Sequence, residues 1–187
     1  MLPFPSYGHI NPMLEFSKLL QHQGEVKVTL VTNLSNYNNI PKLPPNSNIT
    51  IETISDGFDK GGVAEAKDFK IYLNKFWQVG PQSLADLINK LNARNDHVDC
   101  LIYDSFMPWC LDVVKKFGIV GATFLTQNLA MNSIYYHVHL GKLKPPFAEQ
   151  EITLPALPQL QHGDMPSFYF TYEQDPTYLD IVASPIL

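Results

Sequence analysis

Short runs of β-branched and aliphatic residues alternate with longer helical patterns over the first 140 residues, and this alternation constrains the fold most. The runs that predict strands are 26–32, 49–54, 98–103 and 119–125. Apolar residues recur at helical spacing in the segments 11–21, 69–77, 84–91, 108–117 and 128–140. Strands joined through helices of this length form right-handed βαβ units. We therefore expect an α/β, Rossmann-like parallel sheet with helices on both faces.

Proline and glycine mark the expected interruptions of this pattern. Gly80-Pro81 should kink or break the chain between two helices, and the Asn-, Ser- and Pro-rich segment 33–45 should be loop. Beyond Lys142 the pattern changes, and 142–187 reads as a Pro-rich loop and helical tail. Within it, 152–158 is at best a short strand, and 178–182 looks helical.

Composition limits the possible partners and compartments. A chain of 187 residues with 45% hydrophobic content can bury one sizeable core, so a single domain is expected. The net charge of −5 provides no basic surface for nucleic acid, and no apolar run is long enough to span a membrane. Cys100 and Cys110 lack the spacing of a zinc site or a disulfide framework. We expect a cytoplasmic monomer that binds no metal.

The stretch from Pro3 to Met13 is the strongest candidate for chemistry. Two prolines stiffen the approach, residues 6–8 should form a turn, and Asn11 should cap a helix whose first residue is Pro12. His9 is then expected in the loop just ahead of the helix. In an α/β sheet such a loop lies at the carboxyl edge, where ligands bind.

Two polar residues at this edge each allow two interpretations. His9 could be a surface or capping residue, or it could be a catalytic base. Asp104 follows a predicted interior strand and could cap the helix ahead of Pro108, or it could pair with His9.

The segments PFPSYGHINPM (3–13) and CLIYDSFMPW (100–109) resemble those of plant UDP-dependent glycosyltransferases, which attach sugars to small molecules. The resemblance implies that His9 is the general base and Asp104 its carboxylate partner. It also implies that Thr126, beside Gln127, hydrogen-bonds the transferred sugar, although capping of the next helix explains residues 126–128 adequately. The donor would be a UDP-sugar acting as substrate, with no cofactor. No Gly-x-Gly-x-x-Gly motif for a dinucleotide is present.

Glycosyl transfer by displacement explains why such a pair is needed. The acceptor loses a proton as it attacks the anomeric carbon, so a base near neutrality must lie beside it. An imidazolium is poorly supported at a helix N-terminus. A buried carboxylate on the second ring nitrogen fixes the tautomer and stabilises the charge that develops.

Several further residues could form the acceptor wall, although core packing explains each of them better when taken singly. These residues are Ser6, Tyr7, Phe106, Trp109, Tyr135, Tyr136 and Phe168. His137 and His139 are two residues apart on a predicted helix, so they make a poor metal pair.

The resembled enzymes have two facing Rossmann-like domains, an arrangement called GT-B, and this chain resembles only the first, acceptor-binding domain. Their donor-binding box is absent, so we expect residues 1–187 to be a partial N-terminal domain, truncated at both ends and inactive alone. Only Met1 and Leu2 remain of a central first strand, whose neighbours should lose a pairing partner. The alternatives are a non-catalytic remnant that binds a small molecule or a partner, and a truncation with no stable fold.

Overall fold

The computed structural model describes residues 1–22, 24, 26–40, 43–44, 47–144 and 151–170. The chain divides into two compact units, Met1–Thr126 and Gln127–Leu187. The helices of the first unit are α1 (Tyr7–His22), α2 (Val63–Ala66), α3 (Phe69–Ala93) and α4 (Trp109–Phe117), with a 3₁₀ helix at Leu34–Asn39. Its strands are β1 (Val28–Asn33), β2 (Ile49–Ile54), β3 (Cys100–Asp104) and β4 (Val120–Phe124).

The strands of the first unit form a parallel sheet, as the sequence predicts. β1 pairs with β2, and β3 pairs with β4. Met1 and Leu2 lie between the two pairs: the Leu2 N–H donates to the Ile102 carbonyl at 2.8 Å, and the Val31 N–H donates to the Met1 carbonyl at 2.8 Å. The order is therefore β2, β1, Met1–Leu2, β3, β4. The expected loss of pairing is wrong at these two residues, because they hydrogen-bond to both neighbouring strands.

Helices cover both faces of this sheet, which confirms the predicted α/β class. Val28 of β1 and Ile49 of β2 pack in one cluster with Met13 and Leu14 of α1. Glu52 lies three residues after Ile49 and so points to the opposite face. There its carboxylate accepts from Lys90 of α3 at 2.7 Å and from Arg94 at 2.9 Å.

Helix α1 begins earlier than its prolines predict. It starts at Tyr7, so Pro12 lies inside it and His9 lies in its first turn. The prediction of a turn at residues 6–8, a cap at Asn11 and a loop position for His9 is wrong. The Ser6 carbonyl accepts from the N–H groups of His9 at 2.9 Å and Ile10 at 2.8 Å, so the helical bonding is already established ahead of the proline.

Helix α3 is also longer than predicted. It runs without interruption through Gly80 and Pro81, so the expectation of two helices is wrong. A Cβ at position 80 would lie 2.8 Å from the Trp109 ring and 3.0 Å from the Phe76 ring. The glycine therefore serves close packing. The predicted loop 33–45 also contains the 3₁₀ helix Leu34–Asn39, and the short helix α2 was not foreseen.

The second unit contains α5 (Leu129–His139), β5 (Glu151–Ile152), β6 (Leu160–Gln161), a 3₁₀ helix (His162–Asp164) and α6 (Ser167–Phe170). The Asn128 side chain caps α5 by accepting from the Met131 N–H. β5 and β6 pair antiparallel, so the short strand expected at 152–158 ends earlier than predicted. The expected helix at 178–182 lies outside the described residues.

Candidate active site

The structure brings together the imidazole of His9 and the carboxylate of Asp104, which are 95 positions apart in the sequence. His9 Nδ1 lies 2.7 Å from Asp104 Oδ2. Asp104 is fully buried, and the His9 side chain is 11% exposed. Asp104 is the last residue of β3, and His9 lies in the first turn of α1, at the same carboxyl edge of the sheet. The contact gives the pair the geometry of a carboxylate-oriented imidazole.

The chemistry of the carboxylate assigns the proton on the ring. An ionised carboxylate can only accept a hydrogen bond, so the His9 Nδ1–H donates to Asp104. In the neutral imidazole, which has one N–H, Nε2 then carries no proton. The Phe106 N–H donates to the other carboxylate oxygen, Oδ1, at 3.0 Å. Each oxygen of the buried carboxylate thus accepts one hydrogen bond. A proton-free Nε2 is the form of imidazole that can act as a base.

Asp104 does not cap the helix that follows it. The N-terminal flanking residue of α4 is Pro108, and no side chain caps that helix. The Met107 N–H donates to the Asp104 carbonyl at 2.9 Å, so residues 104–107 form a tight turn that holds the carboxylate in place. Of the two interpretations of Asp104 that the sequence left open, this geometry supports the one that pairs it with His9.

Thr126 also lies at the imidazole. Its Oγ1 is 3.0 Å from His9 Nδ1, the same nitrogen that faces Asp104. Because Nδ1–H already points at the carboxylate, the hydroxyl oxygen serves as a second acceptor for that proton. The sequence resemblance implies a contact between Thr126 and the transferred sugar, which is a different role.

Two aromatic rings contact the imidazole. The Phe106 ring centroid lies 4.8 Å from that of His9, and the Phe4 centroid lies 5.4 Å away in an edge arrangement. Phe4 is 5% exposed, and its ring also contacts Phe106 at 5.7 Å. The two rings restrict how the imidazole can turn. Phe106 is among the predicted wall residues. Phe4 is not, because it lies between two prolines and shows no periodic signal.

The other predicted wall residues of the first unit are more scattered. Ser6 and Tyr7 are exposed, and Ser6 contributes its backbone carbonyl to the start of α1. Trp109 is half-buried, and its ring packs against Phe76 at 5.6 Å. Trp109 is therefore part of the contact between α3 and α4.

The remaining predicted residues belong to the second unit. The Gln127 carbonyl accepts from the Asn132 side chain at 3.0 Å, which supports the start of α5. Tyr135 is 2% exposed, and burial raises the pKa of its hydroxyl. Tyr136 is half-buried, and its ring contacts His137 at 5.7 Å. The side chain of Phe168 lies outside the described residues.

Curated relatives match this chain over nearly its whole length. It is 40% identical over 185 residues to Mogroside I-E synthase of Siraitia grosvenorii, covering 98% of this chain and 40% of the relative. It is 38% identical over 183 residues to flavonol 7-O-beta-glucosyltransferase UGT74F1 of Arabidopsis thaliana, covering 97% and 39% respectively. The chain is therefore similar to plant UDP-glycosyltransferases. It spans about two fifths of the length of these relatives. No family model matches it.

Solved structures share the fold of this chain. The crystal structure of Os79 from O. sativa in complex with a trichothecene superposes with a TM-score of 0.85 at 30% identity. The match covers 99% of this chain and 43% of Os79. The neighbours have the GT-B fold, and this chain corresponds to part of it, as the sequence resemblance predicts.

None of the helices among the described residues is both long and apolar enough to cross a membrane. No group of three or more His, Cys, Asp or Glu side chains among them could hold a metal ion.

Proposed function

We propose that this chain is the acceptor-binding half of a cytoplasmic, inverting UDP-glycosyltransferase, with His9 as general base. The observation that carries the proposal is the 2.7 Å contact between His9 Nδ1 and the buried Asp104 carboxylate. That contact leaves Nε2 proton-free at the carboxyl edge of the sheet, where α/β proteins bind ligands. The family relationship supplies the class of reaction.

The proposed reaction is a single displacement. His9 Nε2 takes the proton from an acceptor hydroxyl, carboxyl or thiol as that atom bonds to the anomeric carbon. The bond from that carbon to the phosphate oxygen breaks, and its electron pair leaves with UDP. Attack from the face opposite the leaving group inverts the configuration. Asp104 stabilises the imidazolium that forms, without taking its proton.

We propose that the transferred sugar is a hexose, glucose, because one of the relatives is a beta-glucosyltransferase. That relative acts on a flavonol, and Os79 was crystallised with a trichothecene. Phe106, which is half-buried with its ring centroid 4.8 Å from that of His9, provides aromatic surface suited to a small apolar acceptor.

The test uses a chimera in which these 187 residues replace the corresponding segment of Mogroside I-E synthase. With UDP-glucose and a panel of phenolic and carboxylic acceptors, we expect transfer with inverted anomeric configuration. His9→Ala should lower kcat by about 10²–10⁴-fold, the usual contribution of a general base.

His22→Ala is the matched control, since His22 is exposed at the other end of the same helix. It should leave the rate within about twofold of the parent, as surface substitutions do. An active chimera whose His9→Ala variant turns over as fast as the parent would overturn the proposal. An inactive chimera whose acceptor binding is unchanged in His9→Ala would favour a non-catalytic binding role.

The 187-residue chain without a second domain should not transfer sugar. Residues 1–187 contain no stretch that resembles the family's donor-binding box, so we expect these residues alone to bind UDP-sugar weakly. Incubation with a UDP-sugar and acceptors, followed by UDP detection, tests this expectation. Turnover that disappears in His9→Ala would contradict it.

A further inference from the structure

The hydroxyl of Thr126 contacts the imidazole of His9 on the same nitrogen as the buried carboxylate. Thr126 Oγ1 lies 3.0 Å from His9 Nδ1, and Asp104 Oδ2 lies 2.7 Å from that nitrogen. The side chain that caps the next helix is that of Asn128, so helix capping does not account for the Thr126 hydroxyl. Among the residues that the structure describes, this hydroxyl hydrogen-bonds to His9 alone. The imidazole is therefore the group that explains where Thr126 lies.

The end of β4 is held against both β3 and α1, and this fixes the approach to Thr126. Phe124, the last residue of β4, pairs with Asp104 in the parallel register. The Phe124 ring also packs against the ring of Phe16 in α1, with a centroid separation of 5.3 Å. Phe16 follows His9 by two helical turns, so both side chains lie on the same side of α1. The chain at the end of β4 thus meets α1 twice, through Phe124 and through Thr126.

A second acceptor restricts a motion that the carboxylate alone allows. One hydrogen bond to Asp104 leaves the ring free to tilt about the line from Nδ1 to Oδ2. The Thr126 oxygen follows a different strand and accepts from the same N–H, so it opposes that tilt. It also accepts more strongly from an imidazolium than from a neutral ring, because hydrogen bonds from charged donors are the stronger ones.

We propose that Thr126 is a positioning residue, whose hydroxyl oxygen holds the His9 ring so that Nε2 faces the acceptor atom. Its effect on the rate rests on the proposed function of His9 as general base, whereas its effect on the ring does not. A misplacement of about 1 Å can cost about 10²-fold in rate. Thr126 should therefore change kcat through His9.

The first experiment measures the ring in the 187-residue chain without any substrate. Thr126→Val removes the hydroxyl and keeps the shape of the side chain. The Nδ1 hydrogen, followed by saturation transfer from water, should then exchange about fivefold faster, the fold-change that corresponds to one ordinary hydrogen bond. Thr126→Ser keeps the hydroxyl and should exchange nearly as slowly as the parent. Thr123→Val, the control, removes the hydroxyl of an exposed threonine on β4 and should change nothing.

The second experiment is a double-mutant cycle in the chimera with Mogroside I-E synthase. Thr126→Val should lower kcat by about tenfold, with KM for the acceptor and for UDP-glucose within about threefold of the parent. In the His9→Ala background the same substitution should change kcat by less than about twofold. A residue that acts only through the imidazole has no role once the imidazole is gone.

Two results would overturn the proposal. One is a Nδ1 hydrogen that exchanges in Thr126→Val as it does in the parent, whether or not the chimera is active. The other is an equal loss of kcat with and without His9, which would show a direct substrate contact or a purely structural role. If Thr126→Val does not fold, Thr126→Ala takes its place in both experiments. A chimera in which His9→Ala is as fast as the parent would refute the general-base function, and hydrogen exchange would still decide whether Thr126 holds the ring.

Discussion

A single buried carboxylate sets the protonation of the His9 ring. Asp104 Oδ2 accepts the Nδ1 proton, and the Phe106 N–H donates to Oδ1, which holds the carboxylate at the end of β3. The tautomer of His9 depends on a carboxylate that can only accept a hydrogen bond. The tautomer should therefore change when a substitution gives this side chain a hydrogen-bond donor.

Asp104→Asn is expected to change the His9 tautomer. The amide can turn its NH₂ toward the ring, so Nδ1 becomes the acceptor and the proton moves to Nε2. Nitrogen-15 shifts of the ring in the 187-residue chain measure this directly, without activity. In the chimera the same change should lower kcat by about 10²–10⁴-fold, because Nε2 can no longer take a proton.

Asp112→Asn provides the control for that experiment. Asp112 is exposed on α4, so the tautomer and the rate should stay as in the parent. If Asp104→Asn leaves Nδ1 protonated, the carboxylate does not set the tautomer.

The sequence indicates both residues of this pair and, of their surroundings, Phe106 and Thr126 but not Phe4. His9 and Asp104 stand out because each follows a predicted strand or precedes a predicted helix, and short motifs carry them. Phe4 was missed because its contact with His9 depends on how the chain turns between Pro3 and Pro5. The contact between Thr126 and His9 spans 117 positions and depends on the register of β3 with β4. Local patterns do not encode either contact.

Among the helices, α3 depends most visibly on close packing. Gly80 lies where the rings of Trp109 and Phe76 approach the helix backbone. Gly80→Ala would place a Cβ 2.8 Å from the Trp109 ring. We expect the free energy of unfolding to fall by about 1–3 kcal/mol, the usual cost of overpacking, despite the better helix propensity of alanine.

Gly8→Ala is the matched substitution in a helix with open space. A Cβ there meets nothing within 4 Å, so the change should be neutral or stabilising by up to about 1 kcal/mol. Urea unfolding of both variants measures the difference. Equal effects at positions 80 and 8 would show that ring packing does not require the glycine.

The helix ends show that tertiary contacts can override local sequence preferences. Pro12 predicts a helix start, yet α1 begins at Tyr7 and accepts the proline inside it. An interior proline costs about 3 kcal/mol in an isolated helix. Burial of Ile10, Met13 and Leu14 on one face of α1 offsets that cost. By contrast, α4 ends where the segment 108–117 predicts, and Gly118 follows it in the left-handed conformation with φ 66°.

At the scale of the whole first unit, one buried carboxylate joins three elements. Asp56 follows β2 and is fully buried. It accepts from the Asn33 side chain at the end of β1, from the Phe58 N–H at 2.8 Å and from the Tyr72 hydroxyl of α3 at 2.8 Å. The sequence places the strands correctly, but the contact between Tyr72 and Asp56 appears only once α3 packs on the sheet.

This network should make the chain sensitive to alkali. Burial, and then the negative charge of Asp56, raise the pKa of the Tyr72 hydroxyl above its ordinary value of 10.0. Above about pH 10 the unfolded chain releases this proton while the folded chain keeps it, so stability falls as pH rises.

Tyr72→Phe should lower the free energy of unfolding by about 1–3 kcal/mol at pH 8, because Asp56 loses a hydrogen-bond donor. It should also lose less stability than the parent between about pH 8 and pH 10.5. Urea unfolding at the two pH values measures both effects, with the exposed Tyr7→Phe as control. If the parent and Tyr72→Phe lose equal stability over that interval, Tyr72 ionisation does not contribute to alkaline unfolding.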